Sequence, residues 1–143
     1  MLIGEYTHTI DTKKRLAIPS KIRKELGDKA VITRGLDNCL FVFPVKEWQN
    51  LVEKLSGLPI GEKNSRSFVR LMLSGASEAS LDSLGRILVP DYLKSYAQLK
   101  KNVIIAGVYN RLEIWDKTRW EMFKNQSEKE VDNMAERLGE LGV

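Results

Sequence analysis

The sequence contains a single cysteine and a single histidine in 143 residues. One cysteine excludes a disulfide within the chain, and Cys39 and His8 together offer too few ligands for a Cys/His metal site. Both residues fall in segments that we predict to be β-strands, and nothing around either one indicates an activated nucleophile. We therefore expect no metal and no cofactor, and we assign both side chains to strand packing.

Long apolar runs and enzyme motifs are also missing. No stretch approaches the roughly 18 apolar residues of a membrane helix, and the start shows no charged-then-apolar signal pattern. Nucleophile-elbow motifs and phosphate-binding glycine-rich loops do not occur. Hydrophobic residues make up 43% and charged residues 29%, which is ordinary for a globular domain. We expect a cytoplasmic protein that is not an enzyme, with no membrane partner and no small-molecule substrate.

Positive charge is concentrated in the first half of the chain. Residues 1–72 hold 13 Lys and Arg against 8 Asp and Glu, whereas residues 73–143 hold 10 against 11. A charge cluster is usually a solvated face, but beside a turn in a basic protein it also fits contact with a polyanion. Such a cluster lies in 11–24, where Asp11 is the one acid among six basic residues: Lys13, Lys14, Arg15, Lys21, Arg23 and Lys24.

The chain contains an internal duplication. DTKKRLAIPS at 11–20 returns as DSLGRILVPD at 82–91, with Asp, Arg and Pro at the same offsets. A unit of about 45 residues with four short strands buries too little apolar surface to be stable alone, so we expect the copies to pack as a pseudo-twofold pair. Ten identities in order relate the halves: Gly4/Gly75, Asp11/Asp82, Arg15/Arg86, Pro19/Pro90, Val31/Val103, Ile32/Ile104, Gly35/Gly107, Asn38/Asn110, Leu40/Leu112 and Trp48/Trp120.

Each copy is predicted to run strand, strand, helix, strand, strand. The alternating segments YTHTI and SEASL precede the Asp-containing turn, and the short strands LAI and ILV follow it. Helices are expected over 20–26 and 91–98. The strand pairs AVITRG with CLFVF and NVIIAG with RLEIW come next. We place Asn38 and Asn110 at the unusual backbone angles of the tight turns between these strands.

Amphipathic helices are predicted outside the duplicated units, over 45–56 and 62–73. A further apolar stripe follows Trp120, and residues 128–140 hold five acids against two bases. These stripes indicate packing surfaces rather than a cofactor site. We predict one double-repeat domain over 1–143, divided as follows: first repeat 4–47, helical connector 48–74, second repeat 75–118, C-terminal helices 119–143.

The segments GEYTHTIDTKKRLAIPSKIRKEL, GASEASLDSLGRILVPDYLKSYA and NRLEIWDKTRWE closely resemble the MraZ family of bacterial proteins. The resemblance covers essentially the whole chain, and its specific part is the pair of Asp-x-x-x-Arg motifs. It implies an α+β fold, a duplicated swapped-hairpin β-barrel of the AbrB kind with flanking helices. It also implies a sequence-specific DNA-binding transcriptional regulator of the cell-division and cell-wall gene cluster. Such proteins bind double-stranded promoter repeats near their own gene, form ring-shaped homo-oligomers and associate with the nucleoid.

The motif residues are the candidate DNA-binding site. Asp11 and Asp82 can shape tight turns by accepting hydrogen bonds from the backbone N–H groups that follow. Arg15 and Arg86, which the resemblance marks as the motif arginines, can bind guanine O6 and N7 or phosphate oxygens. The alternative is that each Asp–Arg pair is an internal ion pair that only braces its turn. Bracing and DNA contact can also coexist.

The two turns differ in their basic residues. Lys13 and Lys14 lie beside the first arginine, where they would contact DNA phosphates, whereas the second turn has no lysine. The family often has glycine before the arginine, as at Gly85, but Lys14 stands there in the first copy. If that position needs a positive φ, lysine costs up to about 1 kcal/mol relative to glycine, so we expect turns of different shape and asymmetric binding.

A second functional class remains open from the sequence. The same barrel fold could serve as a protein–protein interaction module, with its amphipathic helices binding a partner and no direct DNA readout. The two readings differ in the salt dependence of DNA binding, because phosphate contacts release counterions.

Overall fold

Each half of the chain folds as strand, strand, helix, strand, strand, as predicted from the sequence. The computed structural model describes the whole chain, Met1–Val143. Two helices connect the halves, and one long helix follows the second half. The elements are β1 (Leu2–Thr9), β2 (Arg15–Ala17), α1 (Ser20–Leu26), β3 (Lys29–Arg34), β4 (Leu40–Pro44), α2 (Val45–Ser56), α3 (Lys63–Ser74), β5 (Ser77–Ser80), β6 (Arg86–Leu88), α4 (Asp91–Tyr96), β7 (Asn102–Tyr109), β8 (Leu112–Asp116) and α5 (Lys117–Glu140).

The two halves exchange their first strands. β1 pairs antiparallel with β7 of the second half, and β5 pairs antiparallel with β3 of the first half. The result is a six-stranded sheet with the order β1-β7-β8-β4-β3-β5. β2 and β6 pair only with each other, in a separate two-stranded ribbon. The chain therefore has the α+β, duplicated, barrel-like fold with interleaved halves that the family resemblance implies.

The main core lies between the two halves. Leu16 and Ile18 after the first turn, and Ile87 and Val89 after the second, are at most 1% exposed. They join a cluster of 20 buried residues drawn from both halves. Burying one such side chain stabilises a fold by about 1.5–3 kcal/mol. Because each half supplies the partner surface for the other, the duplication provides a core that one copy lacks.

The outer face of the sheet is covered by helices. Residues of β4 alternate between the two sides: Leu40 and Val42 join the main core, whereas Phe41 and Phe43 join a second cluster beneath α2, α3 and the start of α5. Cys39 lies in this second cluster, fully buried, directly before β4 rather than within a strand. The stripes of α2 and α3 are thus packing surfaces.

Some boundaries differ from the predictions, for local backbone reasons. α4 ends at Tyr96 rather than 98, because Gln98 adopts a left-handed φ of 53°. Asn38 has the predicted positive φ of 60°, but the prediction for Asn110 is wrong: Tyr109 takes the positive φ, 81°. The turn is displaced because β7 stays paired with β1 up to Tyr109.

More than one helix was predicted over 119–143, but α5 is a single continuous helix of 24 residues.

Candidate nucleic-acid interface

The first Asp-x-x-x-Arg motif forms a tight turn between β1 and β2. Asp11 Oδ1 accepts hydrogen bonds from the backbone N–H groups of Lys13 and Arg15, both at 2.9 Å. Its other oxygen, Oδ2, accepts the Nε–H of Arg15 at 2.9 Å. The backbone hydrogen bond from Arg15, together with the side-chain bond, lowers the pKa of the Asp11 carboxyl. One carboxylate therefore fixes both the turn backbone and the arginine side chain.

The second turn has the same geometry. Asp82 Oδ1 accepts from the N–H groups of Leu84 and Arg86 at 2.9 Å, and Oδ2 accepts the Nε–H of Arg86 at 2.8 Å. The residue before the arginine is left-handed in both turns, with φ of 63° at Lys14 and 73° at Gly85. The prediction that the turns differ in shape is therefore wrong, because lysine adopts the backbone conformation that glycine has in the other copy.

What differs is the neighbour that each turn meets from the other half. The Lys14 ammonium pairs with the carboxylate of Asp91, at the start of α4. At Gly85, a Cβ atom would lie only 2.2 Å from Cζ of Arg23, which projects from α1. Arg23 is anchored there by donating its Nε–H to the Ile18 carbonyl at 2.7 Å. The first turn thus receives an acid from the second half, and the second turn receives a base from the first half.

The β2–β6 ribbon places both motif arginines on one face. Leu16 pairs with Ile87 and both point into the core, at 0% and 1% exposure. Since successive residues of a strand point to opposite faces, Arg15 and Arg86 lie on the outer face. Arg15 is paired with Leu88, two residues along from Arg86. The backbones of the two arginines are therefore diagonal neighbours, about 7–8 Å apart.

Each motif guanidinium is held on one side and free on the other. The Nε atoms of Arg15 and Arg86 are used in the ion pairs with the turn aspartates, whereas their Nη groups make no hydrogen bond within the chain. The two side chains are 34% and 26% exposed. The ion-pair alternative is thus present in the structure, but it leaves free the two Nη groups that can donate to a guanine edge or a phosphate.

The basic residues around the ribbon are not equivalent. Lys13 is exposed and has no acidic partner, whereas the charge of Lys14 is partly neutralised. The counterpart of Lys13 in the second copy is Leu84, which is 61% exposed. Arg23 is the residue that sequence reasoning did not place at the second turn. Its contact crosses between the halves, and the only signal for it was the glycine at position 85.

His8 and Cys39, to which the sequence analysis assigned no chemical role, do not belong to a cluster of reactive side chains. Burial and then the Arg23 charge lower the pKa of His8 on β1, which favours the neutral imidazole. Burial raises the pKa of the Cys39 thiol, which disfavours the reactive thiolate. No group of three or more His, Cys, Asp or Glu side chains is placed to hold a metal ion. None of the five helices combines the length and apolar character that crossing a membrane requires.

Comparison with known proteins gives a consistent result over the full length. The family model described as "MraZ protein, putative antitoxin-like" matches twice, at residues 1–71 and 72–140. The chain is 50% identical over 143 residues to the "Transcriptional regulator MraZ" of Clostridium acetobutylicum, with 100% of both chains covered. It is 48% identical, with the same coverage, to proteins of that name from Alkaliphilus metalliredigens and Thermoanaerobacter pseudethanolicus.

Proposed function

Since the chain belongs to the MraZ family, we propose that it regulates transcription by sequence-specific binding of double-stranded DNA through the outer face of the β2–β6 ribbon. The relatives named as transcriptional regulators support the general role. The observation that carries the site is the placement of Arg15 and Arg86 on one outward face. Both side chains are held by their aspartates, and both keep free Nη donors.

The proposed docking places the ribbon in the major groove. That groove is about 12 Å wide and admits a two-stranded β-ribbon, which several DNA-binding proteins use. Arg15 and Arg86 donate from their Nη groups to O6 and N7 of guanines, the commonest specific contact of this kind. Lys13 on one side and Arg23 on the other contact phosphates, which orient the protein without reading sequence. Because Nε is already held by an aspartate, each arginine loses little rotamer freedom on binding.

The proposal extends to the target and the assembly that family membership suggests. The target is repeated promoter DNA near the protein's own gene, in the cell-division and cell-wall gene cluster. The protein acts as a ring-shaped homo-oligomer, in the cytoplasm and associated with the nucleoid. A ring presents several ribbons at once, so contacts that are weak singly add on spaced DNA repeats through effective concentration.

A footprint on the DNA upstream of the protein's own gene tests this function, together with a titration of affinity against salt. We expect protection of spaced repeats and no protection of a scrambled fragment of equal composition. The logarithm of the binding constant should fall with the logarithm of salt concentration, by about 0.9 for each phosphate neutralised. No protection, or affinity that does not change with salt, would contradict DNA binding and favour the protein-interaction module instead.

A further inference from the structure

Helix α5 continues its apolar face beyond the sheet on which it packs. Near its start, Trp120 and Phe123 pack on Trp115 of β8, with ring centroids 5.4 and 5.0 Å apart. Lys124 then pairs with Glu5 of β1, the edge strand of the sheet. No later residue of α5 is buried or bonded to another element. The same face nevertheless continues with Val131, Met134, Leu138 and Leu141, which are 41–78% exposed.

A groove that could receive such a face lies between α2 and α3. Its volume is about 350 Å³, and its apolar walls include Leu58 and Ile60, which are 40% and 85% exposed. Arg66 and Arg70 lie at its rim. Arg66 donates to the Ile60 carbonyl at 3.1 Å, and neither arginine has an ion pair within the chain. The groove is therefore an apolar floor with unpaired positive charge beside it.

The charge of the exposed half of α5 is complementary to this rim. Residues 128–140 carry five acids and two bases. Opposite charges favour docking of this segment beside Arg66 and Arg70, whereas two copies of the segment would oppose each other with like charge. Charge complementarity therefore favours pairing of the helix with the groove over pairing of two helices.

The helix does not reach the groove of its own chain, whose lining residues all lie within 55–70. α5 crosses β8 and reaches Glu5 on β1, at one edge of the sheet. α3 packs at the other side, where the Thr33 hydroxyl of β3 donates to the Met72 carbonyl at 2.7 Å. Residues 128–140 extend about 20 Å further along a rigid helix axis. An α5 helix that docks in the groove is therefore the α5 of another copy of the chain.

We propose that residues 128–141, the end of α5 and Leu141 after it, dock into the α2–α3 groove of a second copy of the chain. The two surfaces are different, so the contact is head-to-tail. Such contacts propagate from copy to copy and close into a ring when the rotation allows it. The inference rests on the homo-oligomer proposed above, for which it supplies the interface.

Two exposed-surface variants test the interface in the full-length chain. Met134→Glu with Leu138→Glu alters the helix, and Leu58→Glu with Ile60→Glu alters the groove. All four side chains are exposed within a single chain, so the fold of each chain should be kept. Size-exclusion chromatography with light scattering should give an oligomer for the wild type and a monomer for each variant. Leu84→Glu, an exposed apolar residue at the second turn, should leave the oligomer intact.

Mixing the two variants gives the decisive result. The helix variant keeps its groove and the groove variant keeps its helix, so the mixture should form a one-to-one dimer and stop there. A groove variant that assembles like the wild type would overturn the proposal, whether the helices then pair with each other or not. A monomeric wild type would overturn both the interface and the ring. Normal assembly without a DNA footprint would instead overturn only the proposed DNA-binding function.

Discussion

Residues 11–15 and 82–86 form the same turn with different residues before the arginine. The carboxylate of each turn accepts the same three hydrogen bonds, at 2.8–2.9 Å, and the backbone is left-handed at the same place. The copies also diverge in what packs against that place: Asp91 on Lys14 in one, Arg23 on Gly85 in the other.

The difference shows what fusing two copies into one chain permits. In a homodimer both turns would have identical neighbours, because symmetry repeats every substitution. Here the first turn exposes Lys13 and the second exposes Leu84 with Arg23 behind it. The arginine geometry is kept in both copies while the surrounding charge is distributed unequally. The ribbon thus carries two arginines of the same geometry, one beside the exposed Lys13 and the other beside Arg23 and the exposed Leu84.

The largest effect is expected from removing the equivalent arginines. Arg15→Ala and Arg86→Ala should each weaken binding to the promoter fragment by about 10- to 100-fold, since a good bidentate contact is worth about 1–3 kcal/mol. The double variant should lose still more. Fluorescence anisotropy at fixed salt measures this, with Lys46→Ala as a control for the loss of one exposed charge away from the ribbon. Strongly unequal effects of the two single changes would show that the arginines are not equivalent.

A smaller effect, on stability, is expected at the position where the turns differ. Gly85→Ala should destabilise the protein by about 1–2 kcal/mol, because alanine is strained at a φ of 73° and its Cβ displaces the Arg23 guanidinium. In an Arg23→Ala background the loss of stability caused by Gly85→Ala should fall to the contribution of backbone strain alone. Urea denaturation of the four proteins in this cycle measures it. Equal costs in both backgrounds would mean that Arg23 does not pack on the turn.

A matched change at the first turn should do much less. Lys14→Gly relieves a positive φ but removes an exposed ion pair, and each contribution is at most about 1 kcal/mol. The same denaturation experiment should therefore give a net change close to zero. A loss as large as that of Gly85→Ala would show that the pair with Asp91 is a major support of the first turn.

The turn aspartates should show equal pH dependence. Their folded pKa lies below the ordinary value of 3.8, so their contribution to stability is present above about pH 4 and is lost as the pH falls through the folded pKa. Asp11→Asn and Asp82→Asn should each lower the melting temperature at pH 7, and the difference from wild type should shrink below pH 4. A difference that persists at pH 2 would assign the loss to something other than the carboxylate charge.

The smallest effect concerns the unequal charge of the two turns. Lys13→Ala should lower the magnitude of the salt slope of DNA binding by about 0.9, and Leu84→Lys should raise it by the same amount. Together the two changes should restore the wild-type slope with the charge moved from one turn to the other. An unchanged slope in Lys13→Ala would mean that this lysine contacts no phosphate.

The duplication and the order of the elements could be predicted because their signals are local or repeated, whereas the barrel was implied by the family resemblance. The repeated Asp, Arg and Pro, the alternating strands and the amphipathic spacing of α2 are all legible in the sequence. The contact of Arg23 with the second turn could not be predicted, since it joins residues 62 positions apart in different halves. The displaced turn at Tyr109 depends on pairing with β1 at the other end of the chain. That the ribbon arginines contact DNA stays a prediction.

The most direct test of that prediction keeps the positive charge of both side chains and removes only the two parallel N–H donors of each guanidinium. Arg15→Lys with Arg86→Lys retains both positive charges but cannot donate two parallel hydrogen bonds to a guanine. The promoter fragment and a scrambled fragment of equal length should be compared for wild type and variant at the same salt. We expect the wild type to prefer the promoter fragment. The variant should stay folded and bind both fragments with the same affinity. A variant that keeps the full preference would contradict the proposed readout by the two arginines.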